Sequence, residues 1–221
     1  MIFAAGMGTR LKPFTDNHPK ALAQVNGVPL LERNIKYLQS YGINDFVINI
    51  HHFGGQILAF LAENDNFGAN IEISNESDEL LETGGGLLFA KRFLENEKTF
   101  LIMNVDILTD LNITNFINIH ELKGGMVTLA VSDRDSTRKL MFNDKMYLKG
   151  WKNLTTNKKT VVGGIFKLRE LAFSGVHCVN SEIFTKITRT GKFSIVDEYL
   201  DLMKEDIKRY RTVVKELGLR K

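Results

Sequence analysis

Apolar stretches of strand length and amphipathic stretches of helix length take turns along this chain, and no other feature narrows the fold as much. Residues 1–5 are apolar and break into a glycine turn at Gly6 and Gly8. Pro29 and Gly42 bracket an amphipathic helix over residues 30–41, since proline suits a helix start and glycine the position past its end. Residues 46–50 (F-V-I-N-I) read as a buried strand, 54–63 as a helix, 70–74 as a third strand, 85–93 as a helix and 99–105 as a fourth strand. Residues 113–122 are helical in pattern, and 126–132 return to the sheet. Such alternation predicts a mostly parallel sheet covered by helices. The texture then changes. Asn143-Asp144-Lys145 predicts a β-hairpin over 140–150, followed by a polar loop at 153–159. Strands are predicted at 161–168 and 172–179, and helices at 182–187 and 195–208. No repeat or linker interrupts the 221 residues. The expectation is one α/β domain over residues 1–221, its sheet mixed but mostly parallel, with a small hairpin excursion.

The first turn carries the chemistry. From Ala4 to Leu22 the chain reads A-A-G-M-G-T-R-L-K-P-F-T-D-N-H-P-K-A-L. Glycines let backbone N–H groups approach an anion closely, and Arg10 and Lys20 add fixed positive charge in a loop stiffened by Pro13 and Pro19. The spacing predicts a triphosphate-binding loop. It is neither a Walker loop nor the dinucleotide fingerprint, whose third glycine position is Leu11 here. Asp106 ends the apolar run T-F-L-I-M-N-V, and ligands of open α/β sheets bind at such strand ends. A carboxylate there can hold Mg²⁺ against phosphate oxygens. Asp110, a little further on, is read as the cap of the helix from Ile113. Glu82-Thr83-Gly84-Gly85-Gly86 precedes a helix, so close backbone approach to a flat ligand and free helix-terminal N–H donors are expected. His51 and His52 point different ways along an extended chain, without a third ligand at useful spacing, and are read as structural or exposed. Cys178 is read as a small buried hydrophobe.

Composition removes other classes. The net charge of +3, from 29 basic and 26 acidic residues with no dense basic stripe, argues against nucleic acid as a partner. No apolar run approaches the ~20 residues that span a bilayer, so no membrane association is expected. Residues 1–5 are too short for a signal peptide, and a single cysteine allows no internal disulfide, so a cytoplasmic location is expected. Oligomeric state is not encoded in any pattern found.

The loop resembles the signature G-x-G-x-R-x-x-P-x-T-x-x-x-P-K-x-L of the sugar-1-phosphate nucleotidyltransferases, with every defined position filled. The resemblance extends to about Tyr199. It implies a three-layer, Rossmann-like (GT-A-like) fold and an enzyme that moves a nucleoside monophosphate from an NTP to a sugar 1-phosphate, releasing pyrophosphate. It implies catalytic roles for Arg10, Lys20 and Asp106, with Mg²⁺ as cofactor on Asp106, and NTP and sugar 1-phosphate as partners. It implies nucleotide contacts from Ala5, Gly6, Met7, Gly8, Thr9, Arg10, Lys20, Thr83, Gly84, Gly85 and Asn104. Gly175 and Glu170 are implied for the sugar. The family usually carries glycine where this chain has Val105, which is expected to crowd the backbone near the substrate. The form L-E-T-G-G-G is most similar to N-acetylmuramate-1-phosphate uridylyltransferases, which implies UTP. A guanylyltransferase for mannose or heptose 1-phosphate is the alternative. The family's closing motif, W-x-D-[VI]-G-T-P, supplies a second metal aspartate, and it is not found after residue 200. Asp197, Asp201 and Asp206 match nothing in it. An inactive nucleotide-binding homologue is therefore the alternative of another class.

Overall fold

A computed structural model describes residues 1–76, 78–162 and 167–205. Its residues group into two compact units, one formed by Met1–Asn96, Ile102–Thr109 and Arg189–Ile195, the other by Glu97–Leu101, Asp110–Thr188 and the chain from Val196.

The first unit begins with strand β1 (Ile2–Phe3), a small hairpin of β2 (Gln24–Val25) and β3 (Val28–Pro29), and helix α1 (Leu30–Gln39). Strand β4 (Asp45–Ile50), helix α2 (Gly54–Glu63) and strand β5 (Asn70–Asn75) follow, then helices α3 (Glu82–Phe89) and α4 (Lys91–Leu94) and the carboxyl half of strand β6 (Thr99–Asn104). β1 pairs in parallel with both β4 and β6, and β4 pairs in parallel with β5. β4 is buried from Phe46 to Ile50, the run expected of a strand covered on both faces. α1 turns Leu30, Leu31, Asn34, Ile35 and Leu38 inward, one stripe of a 3.6-residue period. Register fixes the geometry that matters for function. Phe3 lies beside Asn49 on one side and Asn104 on the other. The chain thus leaves β1 for the glycine turn between the carboxyl ends of two neighbouring strands, where parallel sheets bind ligands.

The second unit holds helix α5 (Ile113–Lys123), strands β7 (Val127–Ser132), β8 (Arg138–Phe142), β9 (Leu148–Asn153), β10 (Lys159–Val161) and β11 (Arg169–Asn180), and most of helix α6 (Ile195–Glu205). β11 pairs antiparallel with β7 and with β8, as do β8 with β9 and β9 with β10. Parallel pairing in the first unit and antiparallel pairing in the second give the mixed strand directions expected, although the parallel pairings do not predominate. The predicted hairpin is β8–β9. Asn143 closes it: its N donates to Tyr147 O at 3.0 Å, and its Oδ1 accepts from Tyr147 N at 2.8 Å.

Several expectations are corrected. The helix expected over 85–93 starts at Glu82 and breaks at Ala90 into two pieces. Its glycines are helical because packing demands them, as described below. The cap of α5 is Asn112, whose Oδ1 accepts from Asn115 N at 2.8 Å, not Asp110: a cap must stand directly before the first helical residue. The segment expected as a helix over 182–187 is a short 3₁₀ helix, Ser181–Thr185, capped by Asn180. β11 runs from Arg169, earlier than residue 172, because its first residues pair with β8. Of the strand predicted at 161–168, residues 163–166 lie outside the described residues, as do 206–208 of the last helix. Among the described residues no helix is long and apolar enough to cross a membrane.

Candidate active site

The glycine turn is anchored at both ends and exposed in the middle. Met1 through Ala5 are buried, whereas Gly6, Met7, Thr9 and Arg10 are exposed. Gly8 has φ of 61°, and a Cβ there would lie 2.8 Å from both Lys20 Cβ and Thr15 Cγ2. Both facts require glycine. Thr15, itself buried, donates from Oγ1 to Gly8 O at 3.0 Å. Leu11 N donates to the same carbonyl at 2.8 Å, closing a 3₁₀ turn over Thr9–Leu11 that carries Arg10. Ala21, fully buried, pins the far end of the loop beside Lys20.

Lys20 and Asp106 meet. Lys20 Nζ and Asp106 Oδ2 form an ion pair, with side chains 18% and 29% exposed, so both remain reachable from solvent. A long-range contact holds the strand end behind them. Asn34, buried on α1, donates from Nδ2 to Val105 O at 2.7 Å, while Val105 N donates to Phe3 O at 3.0 Å. Residue 105 is thereby fixed from two sides, and Asp106 follows it. Val105 itself is buried. Asn104 ends β6, half-buried, in register with Phe3. Asn34 escaped sequence reasoning. The available signal was an asparagine within the apolar stripe of α1.

A second buried network joins the glycine turn to the approach of α3. Asn49 Oδ1 accepts from Ala4 N at 2.7 Å and from Ala5 N at 3.4 Å. Asn49 Nδ2 donates to Glu76 Oε1 at 2.7 Å, and Leu81 N donates to Glu76 Oε2 at 3.3 Å. Burial pushes the Glu76 carboxyl above its usual range, while the donors from Asn49 and Leu81 pull the other way. His51 Nδ1 lies 2.6 Å from Glu76 O and His52 packs on Phe53, and among the described residues neither histidine belongs to a cluster of three metal-ligating side chains.

The L-E-T-G-G-G segment differs from expectation. A Cβ on Gly84 would lie 2.3 Å from the Phe193 ring, one on Gly85 2.2 Å from Gly191 O, and one on Gly86 2.6 Å from Glu76 Oε1. The glycines answer to protein packing. Two of the amides expected to be free are engaged: Gly84 N and Gly85 N donate to Phe193 O at 2.8 and 3.3 Å; Thr83 Oγ1 also accepts from Ile195 N. Sequence spacing could not see residues 191–195 returning here.

The remaining candidates fall in the second unit. Gly175 has φ of 72° within the register break of β11 between Phe173 and His177, so the bulge itself demands glycine. Glu170 lies in β11 rather than in a loop and forms an ion pair with Lys152. Cys178 is fully buried, its thiol pushed up to about 12 by burial. Asp197 and Asp201 lie on α6, and Asp206 lies outside the described residues. Among the described residues, no three metal-ligating side chains cluster. Asp106 with one lysine does not make a metal cage. It does suit Mg²⁺, which keeps several waters and takes other ligands from substrate phosphates.

A parallel α/β unit whose first turn presents open glycine backbone and whose loop lysine meets a strand-end carboxylate defines a phosphate-handling, nucleotide-binding class of protein. Residues 1–140 match the profile of the nucleotidyl transferase family, and the chain belongs to it. An N-acetylmuramate alpha-1-phosphate uridylyltransferase of Neisseria meningitidis is 40% identical over 114 residues, 52% of this chain and 49% of that protein. The match thus spans about half the length of that relative. A Bacillus subtilis protein named "Probable glucose-1-phosphate cytidylyltransferase" is 25% identical over 90% of this chain and 87% of its own. The crystal structure of HddC from Yersinia pseudotuberculosis, complexed with GMP-PN, aligns with a TM-score of 0.75 at 20% identity, covering 97% of this chain and 89% of that one. That likeness is one of fold. The resemblance to sugar-1-phosphate nucleotidyltransferases read from the loop is borne out by the family match and the relatives' names.

Proposed function

We propose that this protein transfers UMP from UTP to a sugar 1-phosphate, with N-acetylmuramate 1-phosphate the sugar, and releases pyrophosphate. The observation that carries the reaction class is the Lys20–Asp106 contact beside the open backbone of residues 6–9. It brings together a cation suited to phosphate and a carboxylate suited to a divalent metal. The choice of UTP rests on L-E-T-G-G-G and on the uridylyltransferase relative.

The chemistry needs no covalent intermediate. An oxygen of the sugar phosphate, already an anion, bonds to the α-phosphorus. The bond from that phosphorus to the bridging oxygen breaks, and the electron pair leaves with pyrophosphate. The protein's part is positioning and charge neutralisation. Arg10, on its exposed turn, would bind the β- and γ-phosphates. Lys20 would lie between the α-phosphate and the incoming sugar phosphate. Amides from Ala5 to Thr9 would line the phosphate oxygens, with Asn104 close to the nucleotide. Asp106 would hold Mg²⁺, which when bound neutralises charge shared by the attacking and transferred phosphates. Gly175 and Glu170 would belong to the sugar side, and the chain around Thr83, Gly84 and Gly85 to the base.

The test is pyrophosphate release from a panel of NTPs crossed with sugar 1-phosphates. Release with UTP and N-acetylmuramate 1-phosphate above all other pairs supports the proposal. Preference for GTP or CTP overturns the nucleotide. A second reading is favoured by the lack of a metal-ligand cluster among the described residues: tight nucleotide binding with no turnover for any pair would make the protein a nucleotide sensor.

A further inference from the structure

We infer that Glu76 is a positioning residue which, through Asn49 and the Leu81 amide, sets the separation between the phosphate loop and the chain entering α3, and so decides whether one NTP can engage both. This rests on the nucleotide-binding part of the proposed function.

The hydrogen-bond inventory supports it. The carboxylate receives two donors, Asn49 Nδ2 on Oε1 and Leu81 N on Oε2. Asn49 in turn spends its oxygen on the amides of Ala4 and Ala5, where β1 becomes the glycine turn. One carboxylate therefore joins the start of the phosphate loop, the carboxyl end of β4 and the entry of α3. All of these groups belong to the first unit. Glu76 and Asn49 are almost wholly buried, so water cannot substitute for a lost partner. The fit is close: Gly86 leaves no room for a Cβ, which would lie 2.6 Å from Glu76 Oε1 and 3.1 Å from Asn49 Nδ2. Glu82, next after Leu81, holds φ of 59°, a left-handed conformation uncommon outside glycine. The tie at Leu81 thus holds the residue directly before one in a left-handed conformation. A carboxylate buried solely for stability would not need to serve main chain at both candidate ligand loops.

The donor and acceptor pattern yields a rescue. In Glu76→Gln the new amide can accept from Asn49 or from Leu81 but must turn its NH₂ on the other donor. In Asn49→Asp alone, two carboxylates face each other. In the double variant, the carboxylate introduced at position 49 accepts from Ala4 N and from the side-chain NH₂ introduced at position 76. The side-chain carbonyl at position 76 then accepts from Leu81 N. Every partner is restored, with the negative charge moved from position 76 to position 49.

Calorimetric binding of UTP and of inorganic tripolyphosphate to the full chain reads this. UTP spans both loops, and tripolyphosphate reaches only the first. Glu76→Gln is expected to weaken UTP about tenfold, as for a buried donor left unpaired, and tripolyphosphate less than about twofold. The double variant should recover UTP binding to within about threefold of wild type. Unchanged UTP affinity in Glu76→Gln overturns the inference. So does equal weakening of both ligands that the double variant fails to rescue, since that marks a general folding defect. If wild type binds UTP without releasing pyrophosphate for any sugar 1-phosphate, the enzymatic proposal falls while this inference is still decided by the same titrations.

Discussion

The two units bury polar groups to different ends. In the first, Asn34 and Asn49 reach main-chain atoms at strand ends, Val105 O and Ala4 N, and Glu76 reaches Leu81 N. In the second, buried histidines close on hydroxyls within the core: His120 Nδ1 lies 2.8 Å from Thr128 Oγ1, and His177 Nδ1 lies 2.5 Å from Tyr199 Oη. The first arrangement places backbone beside the candidate site. The second locks side chains against one another. Substitutions of the first unit's candidate site residues should therefore move kinetics more than the melting temperature, and those of the second unit's buried histidine pairs should do the reverse.

The sharpest way to break that contrast is at the site itself. Asp106→Ala, Lys20→Ala and Arg10→Ala should each lower kcat for pyrophosphate release by roughly 10²-fold or more, the scale of losing one preorganised electrostatic contact. Arg10→Ala, at an exposed turn, should leave thermal unfolding unchanged. Near-normal turnover in any of the three would remove that residue from the mechanism. One step back from the chemistry, Asn34→Leu strands the buried Val105 carbonyl. It should cost about 1–3 kcal/mol in urea unfolding and about tenfold in kcat/KM, since Asp106 follows Val105.

His177 sharpens the other side. Burial pulls its imidazole from 6.5 to about 3. Between those values the unfolded chain takes up a proton that the folded chain refuses. Stability should fall as pH drops from 6.5 toward 3, by up to about 1.4 kcal/mol per pH unit. His177→Phe should flatten that slope in denaturant titrations at a series of pH values, with kcat at neutral pH unaffected. The smallest effect belongs to Lys91→Ala. Its exposed pair with Glu95 at 3.4 Å should be worth less than about 0.5 kcal/mol. A melting scan should barely register the loss.

How much of this was legible in the sequence follows from distance along the chain. The glycine turn and its two cations sit within one short segment, so spacing alone exposed them. Asp106 was legible because an apolar run ending in a carboxylate marks a strand end. The supports were not: Asn34 meets Val105 across 71 positions, Asn49 meets Ala4 across 45 and Glu76 across 27. No periodicity encodes such contacts. The start of α3 was misplaced for a related reason. Glycine lowers helix propensity, and only Phe193, Gly191 and Glu76, brought in by the fold, explain why three glycines belong inside that helix. In the second unit the β8–β9 hairpin was legible from its turn residues. The bulge at Gly175 was not, because a register break depends on the partner strand.

The central claim is that a polyphosphate lies along residues 6–9 with Lys20, and that Asp106 carries its divalent cation. A crystal structure with a non-hydrolysable UTP analogue and Mn²⁺, read by anomalous scattering, tests it most directly. The account predicts manganese bound to an Asp106 oxygen, and phosphate oxygens within hydrogen-bond reach of Lys20 Nζ and the glycine-turn amides. Manganese and phosphates ordered elsewhere in the protein, with Lys20 and Asp106 still joined to each other, would contradict it.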